Sequence, residues 1–276
     1  MLGRDVVEVL ARRRADLRAP AREDLDITDA AAVAAAVASA DVVVNAAAWT
    51  DVDGAETAED AATRVNGDGV RMLAEACAAS GARLLHVSTN YVFAGDAATP
   101  YAEDAPPAPR SAYGRSKLVG EQAVRELLPD RGYVVRTAWL YGEHGASFVR
   151  TMIRLSRERE RLDVVDDQRG QPTWSRDVGR RLIELGGRPD APAGTYHATS
   201  SGETTWCRLA RAVFEKLGED PDRVRPTTTD RFPRPAPRPA YSVLGHEGWA
   251  EVGMAPLRPW RDALREALPA IVRGGG

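Results

Sequence analysis

The sequence predicts an α/β fold, a doubly wound parallel sheet with a small C-terminal lobe, and three observations predict it. Short continuous apolar runs at residues 42–47, 83–87 and 133–137 suit strands buried on both faces. Segments of helical period separate them, long enough to carry the chain back across a sheet. The 276 residues, 43% hydrophobic, suffice for a core of this size. The expected division is a first domain over residues 1–140 and a mainly C-terminal lobe over residues 141–276, with segments returning to the first domain.

In chain order, residues 1–10 space their apolar positions as an amphipathic helix that no strand precedes. Residues 15–19, Ala15-Asp16-Leu17-Arg18-Ala19, form a weak second strand. Residues 26–29 close a strand end and cap a helix over 30–38. The strand at 42–47 ends in Ala46, Ala47 and Ala48, small enough to let a ligand approach the backbone, or simply a structural alanine run. Residues 58–80 form one long helix closed by Gly81. It returns the chain to the strand at 83–87, which ends at Ser88. A helix follows over 111–128, where Gly120 permits close packing, and then the strand at 133–137. Residues 164–173, rich in Asp, Gln, Gly and Pro, are expected as a loop. The proline-rich run 232–239 suits either an extended partner-binding segment or a loop of the second lobe. A helix over 259–272 precedes a tail, Gly274 to Gly276, expected to be disordered.

The chemistry concentrates in Ser88-Thr89-Asn90-Tyr91-Val92-Phe93 and in Tyr113-Gly114-Arg115-Ser116-Lys117. Tyr113 and Lys117, four apart on a helix, project from one face and can enter one cleft. An ammonium beside a phenol favours the phenolate, so Lys117 is expected to lower the Tyr113 pKa and make the phenol a general acid/base near neutrality. Thr89 stands at a strand end, where open α/β sheets bind ligands. Only two of the 37 basic residues are lysines, Lys117 and Lys216. Arginine cannot replace a compact ammonium beside a phenol, so Lys117 asks for a functional reason.

Eight blocks recur in a recognisable order: LDITD at 25–29, VVNAAAWTDVDGAE at 43–56, STNYVF at 88–93, YGRSKLVGE at 113–121, RTAWLYG at 136–142, VVDDQRGQPT at 164–173, GTYHATSSGETTW at 194–206 and PRPAYSVL at 237–244. Over nearly the whole chain they resemble the dTDP-4-dehydrorhamnose reductases, within the extended short-chain dehydrogenase/reductases. The resemblance implies a Rossmann-like fold that binds NADPH, or NADH. It implies reduction of the C4 keto group of a nucleotide-linked 4-keto-6-deoxyhexose in deoxysugar (L-rhamnose) biosynthesis. Thr89, Tyr113 and Lys117 take the catalytic places. The cofactor path takes Met1, Leu2, Gly3, Arg22, Asp26, Ile27, Asn45, Ala47, Ala48, Trp49 and Val87, besides Tyr113 and Lys117. The substrate takes Thr89, Asn90, Tyr91 and Trp139, the indole offering both stacking area and a donor. Ala21 and Arg22, a small residue and a cation near the end of the second strand, suit a 2′-phosphate and so NADPH. A solvated role for Arg22 stands beside that reading.

The family usually has Asp where this chain has Asn90, which keeps hydrogen-bonding capacity and drops a charge. A 4,6-dehydratase needs an acid/base pair where Asn90 and Tyr91 stand. A 4-epimerase and a non-catalytic nucleotide-binding regulatory subunit of the same fold remain as alternatives. In the family a strand and a glycine-rich turn precede the first helix, so Gly3 is expected to match the last glycine of that turn and Met1 an internal residue. The chain expressed from Met1 is accordingly expected to be poorly soluble and to bind NADPH weakly.

A net charge of −3 gives no basic field for nucleic acid. Two cysteines, Cys77 and Cys207, do not indicate a disulfide framework. No apolar run reaches membrane-spanning length and no export signal opens the chain, so a soluble cytoplasmic protein is expected. A homodimer is the assembly considered, and no residue pattern fixes it. His86, His144, His197 and His246 show no metal-ligand spacing, and no protein-held metal is expected.

Overall fold

A computed structural model of the chain describes residues 1–12 and 16–274. Helix α1 (Leu2–Ala11) leads to α2 (Ala30–Val37), whose first turn is capped by the Asp29 carboxylate accepting from the N–H groups of Ala31 and Ala32. Strand β1 (Val42–Asn45) follows, then α3 (Glu59–Thr63), a π turn (Arg64–Asp68) and α4 (Gly69–Ser80), which ends on left-handed Gly81. Next come β2 (Arg83–Thr89), α5 (Ala112–Leu127) and β3 (Gly132–Thr137). The remaining elements are β4 (Leu140–Tyr141), α6 (Phe148–Glu158), β5 (Leu162–Val165), β6 (Arg169–Gly170), β7 (Thr173–Trp174), α7 (Ser175–Gly186), β8 (Gly194–His197), β9 (Ser200–Ser201), β10 (Thr204–Thr205), α8 (Trp206–Leu217), β11 (Val224–Thr227), α9 (Glu247–Glu251), β12 (Leu257–Pro259) and α10 (Trp260–Arg273).

The central sheet runs β1-β2-β3-β8, and every neighbouring pair is parallel. Alternation along its strands feeds two cores. Leu85, Tyr133 and Val135 point to the side covered by α1 and α7, among Leu2, Val6, Val178 and Leu182. Leu84 and Val134 point to the other side, among Val33, Val70, Leu73 and Val124 of α2, α4 and α5. This is the doubly wound arrangement, with the carboxyl ends of β1, β2 and β3 on one edge. A third core, including Val149, Phe214 and Leu264, fills the space between α6, α8 and α10.

Three expectations change. Residues 16–19 form no strand, and Ala15 lies outside the described residues. A strand exists only by pairing, and among the described residues β1 carries a partner on one side only. The helix expected over 58–80 is broken by the π turn around Asn66. Residues 164–173 are not all loop: they finish β5 and supply β6 and the start of β7, which pair with Val224–Thr227, Thr204–Thr205 and Leu140–Tyr141. Gly275 and Gly276 lie outside the described residues.

Candidate active site

Thr89 ends β2, and its hydroxyl accepts the N–H of Tyr91 at 3.1 Å, opening the short turn Asn90–Val92. That turn lies against α5, whose own start is fixed by Ser111 Oγ accepting the N–H of Gly114 at 3.1 Å. A Cβ on Gly114 would stand 2.2 Å from the carbonyl oxygen of Tyr91, so only glycine lets the helix come this close. The approach brings the phenol of Tyr113 close to the Thr89 side chain and sets the Tyr91 and Tyr113 rings edge to face at 5.7 Å.

Lys117, one turn on, is 2% exposed. Its Nζ donates to the carbonyl of Val87 at 2.7 Å and lies 3.3 Å from Nε2 of His86. Thr89, Tyr113 and Lys117 thus converge on the carboxyl end of β2. Burial pushes the Tyr113 phenol up to about 12, with the nearby Thr89 hydroxyl working in the opposite direction. The expected lowering by Lys117 is not found, because the Lys117 nitrogen is turned onto Val87 and His86. Burial also draws Lys117 itself down from 10.5 to about 8, with Glu121 working in the opposite direction.

Three residues that sequence reasoning missed hold this helix in place. Glu121 is fully buried and accepts the Ser88 hydroxyl at 2.6 Å and the Arg136 guanidinium at 2.8 and 2.9 Å. Arg136 is equally buried, so this two-pronged pair ties α5 to β2 and β3. Asn66, in the π turn, accepts the N–H of Trp49 at 2.9 Å and donates to the Trp49 carbonyl at 3.1 Å and to Ser116 at 2.9 Å. It clips the loop after β1 to α5, and π turns are frequent at functional sites. Gly120 completes the contact: a Cβ there would meet the Asn66 carbonyl at 2.2 Å. Signals existed for two of the three, since Glu121 continues the four-residue spacing of Tyr113 and Lys117, and Asn66-Gly67 interrupts a helical run.

The carboxyl end of β1 suits a dinucleotide. Ala46 and Ala47 are exposed there, Ala48 and Trp49 partly so. A Cβ built on Gly3 would lie 3.8 Å from that of Ala46, so the N-terminus of α1 faces this edge. Met1 is half-buried, whereas Leu2 spends its side chain in the core and offers only its backbone. Asn45 is buried, accepts the N–H of Ala47 at 3.0 Å and contacts His86. Arg22 is exposed beside Asp26, whose carboxylate accepts from Thr28 twice, at 2.8 and 2.9 Å. Ile27 lies against Gly69 of α4 and packs on the core between α2 and α4.

On the side of the Thr89 hydroxyl, Asn90 is 3% exposed; its Oδ1 takes that hydroxyl at 3.2 Å, and its Nδ2 has no partner among the described residues. An unpaired buried donor beside the reacting groups is suited to a substrate oxygen. Trp139 adopts φ of 47°, a left-handed conformation that is strained for an indole. Its ring stacks on Trp206 at 3.5 Å and covers Gly170.

One histidine meets carboxylates that its sequence spacing does not show. His144 Nε2 lies 2.7 Å from Glu8, and ligand atoms of Asp5, Glu8 and His144 fall within 4.8 Å of one another, hidden by 136 residues of separation. This cluster already carries a cation, since Arg176 contacts Glu8 and Glu143 at 3.3 Å each.

Known proteins resemble this chain over nearly its whole length. The family model described as the RmlD substrate binding domain matches residues 1–272. A dTDP-4-dehydrorhamnose reductase of Streptomyces griseus is 54% identical, over 100% of this chain and 92% of its own length. A dTDP-4-keto-6-deoxy-D-glucose reductase of Streptomyces niveus is 50% identical, over 98% and 94%. The crystal structure of dTDP-4-dehydrorhamnose reductase from Bacillus anthracis in complex with NADP superposes with a TM-score of 0.93 at 36% identity, covering 97% of this chain and 95% of that one. The chain belongs to the dTDP-4-dehydrorhamnose reductase family.

Proposed function

We propose that Thr89, Tyr113 and Lys117 carry out the reaction of this chain, an NADPH-dependent reduction of the C4 keto group of a nucleotide-linked 4-keto-6-deoxyhexose. The observation that supports the roles is the convergence of these three side chains on the carboxyl end of β2. NADPH, when bound, supplies the hydride. Ala47, Ala48, Trp49, Val87 and the N-terminus of α1 would hold it, with Arg22 near its 2′-phosphate. Tyr113 donates its proton to the forming alkoxide, and a phenol held near 12 by burial is a donor that stays protonated at neutral pH. Thr89 hydrogen-bonds the same oxygen and orients the phenol. Lys117 positions the nicotinamide ribose. Asn90 Nδ2 reaches a substrate oxygen, and Trp139 covers the sugar.

The same reading puts the chain in the cytoplasm, where NADPH and nucleotide sugars are both available, and includes assembly as a homodimer, checked by sedimentation. No helix among the described residues is long and apolar enough to cross a membrane. The activity is tested by following NADPH oxidation after addition of dTDP-4-dehydrorhamnose. Substrate-dependent oxidation with formation of the 4-hydroxy sugar supports the reading, and a mixture of 4-epimers formed without net oxidation would replace it with an epimerase.

A further inference from the structure

The imidazole of His86 is fully buried beneath Lys117, and no step of the reaction above uses it. Its neighbours nevertheless dictate where its proton sits. The N–H of Ala47 can only donate, and it meets Oδ1 of Asn45 at 3.0 Å. The Asn45 amide is thereby turned with its NH2 3.0 Å from Nδ1 of His86. Nδ1 must accept, so the single proton of a neutral ring lies on Nε2. Nε2 in turn faces Nζ of Lys117 at 3.3 Å. An ammonium there opposes N–H to N–H, whereas an amine offers its lone pair. Protonating His86 does not relieve the conflict, because Nδ1–H would then oppose the Asn45 NH2 and two cations would share a buried site.

We propose that Asn45 and His86 form a positioning pair that holds the Nε2–H tautomer, and that this N–H, donated to Lys117, sets the pH at which Lys117 releases its proton. The proposal rests on the reading of Lys117 as a catalytic residue and gives it a chemical consequence. Each reduction consumes one proton, and a lysine that exchanges near neutrality can serve as the proton reserve of the site, whereas a permanent ammonium cannot. The titratable groups around Lys117 come from three elements. These are His86 of β2, Tyr113 and Glu121 one turn to either side on α5, and Arg136 of β3 acting through Glu121. Glu121 is already engaged by Ser88, Arg125 and Arg136, so its charge is largely spent on other partners. The downward pull of burial on Lys117 and on His86 points the same way.

The scarcity of lysine makes the test direct. Protein grown with lysine labelled at Cε gives two resonances, from Lys117 and exposed Lys216, and Lys216→Arg assigns them. His86→Leu removes the donor and is expected to raise the proton affinity of Lys117 by at least about tenfold, one pH unit in midpoint. His86→Gln, whose side-chain NH2 can stand in for Nε2–H, is expected to bring the midpoint back towards that of the wild type. A midpoint in His86→Leu that is unchanged or lower overturns the proposal, even if the variant loses thermal stability, because a purely structural histidine would leave Lys117 unmoved. Should His86→Leu not fold, the 15N shifts of the wild-type ring decide: a protonated Nε2 supports the pair, and a protonated Nδ1 overturns it. These readouts need no turnover. A Lys117→Met variant that retained activity would sink the catalytic reading alone and leave them standing.

Discussion

Replacing Lys117 with methionine should remove a group proposed to be catalytic and yet stabilise the fold at neutral pH. Lys117 is 2% exposed, and its nitrogen meets only the Val87 carbonyl and the His86 ring. Burial lowers its proton affinity from 10.5 to about 8. At about 1.4 kcal/mol per tenfold, that fall corresponds to about 3 kcal/mol. The sign follows from which state holds the proton. Below pH 8 the lysine is charged both folded and unfolded, and the folded chain bears the whole cost of burying the charge. Between pH 8 and 10.5 the unfolded chain binds more protons than the folded one, so the stability of the wild type rises with pH. Above 10.5 both states are neutral and the cost has gone. Lys117→Met keeps the unbranched stem and removes the titration. Its stability relative to wild type should therefore be greatest below pH 8 and should decline by about 3 kcal/mol on reaching pH 10.5. Urea unfolding followed by tryptophan fluorescence at intervals from pH 7 to 10.5 measures this difference. In thermal unfolding a change of that size corresponds to roughly 5–10 °C for a chain of this length. A difference that stays flat across the window would mean that the folded chain does not release the Lys117 proton early, and the energetic account of the site would fail.

Tyr113→Phe removes the proton donor and is expected to lower turnover by at least about a hundredfold, with NADPH binding nearly unchanged; a loss of only two- or threefold takes Tyr113 out of the mechanism. Arg22→Ser should narrow the preference for NADPH over NADH, read as the ratio of kcat/KM values, whereas an unaltered ratio shows that Arg22 faces solvent. Glu121→Gln leaves the Arg136 guanidinium buried without its carboxylate and should destabilise the fold by about 3–5 kcal/mol in denaturant titrations. A cost below about 1 kcal/mol would mean that water or another carboxylate reaches Arg136.

What could be read in the sequence was what is encoded locally. Two-faced apolar runs gave β1, β2 and β3 of the central sheet, because a strand covered on both sides needs no polar alternation, whereas β8, Gly194–His197, carries no such run. The four-residue interval between Tyr113 and Lys117 put both on one face of α5, and Thr89 stood where its strand ended. Elements that depend on a distant partner were harder to read. The pair Arg169–Gly170 looks like loop by composition and becomes a strand only because Thr204 and Thr205 arrive to pair with it. Residues 16–19 erred in the other direction, since a weak apolar pattern does not make a strand without a neighbouring ladder.

The same distinction separates the reacting groups from the groups that set their chemistry. Tyr113 and Lys117 are recognisable as a motif, but the state of each depends on residues that no local pattern connects. Asn66 reaches Ser116 from 50 positions away, His86 reaches Lys117 across 31, and Asn45 reaches His86 across 41. A lysine four residues after a tyrosine suggests an ammonium lowering a phenol, which is the inference a helix surface alone allows. Inside the protein, desolvation acts on both groups in opposite senses, raising the phenol and lowering the amine. Their proton affinities, nearly equal in the free side chains, are thereby driven apart, the phenol up to about 12 and the amine down to about 8. In this family member the spacing of the motif brings the groups together, and the buried polar residues behind α5 set the protonation state in which they work.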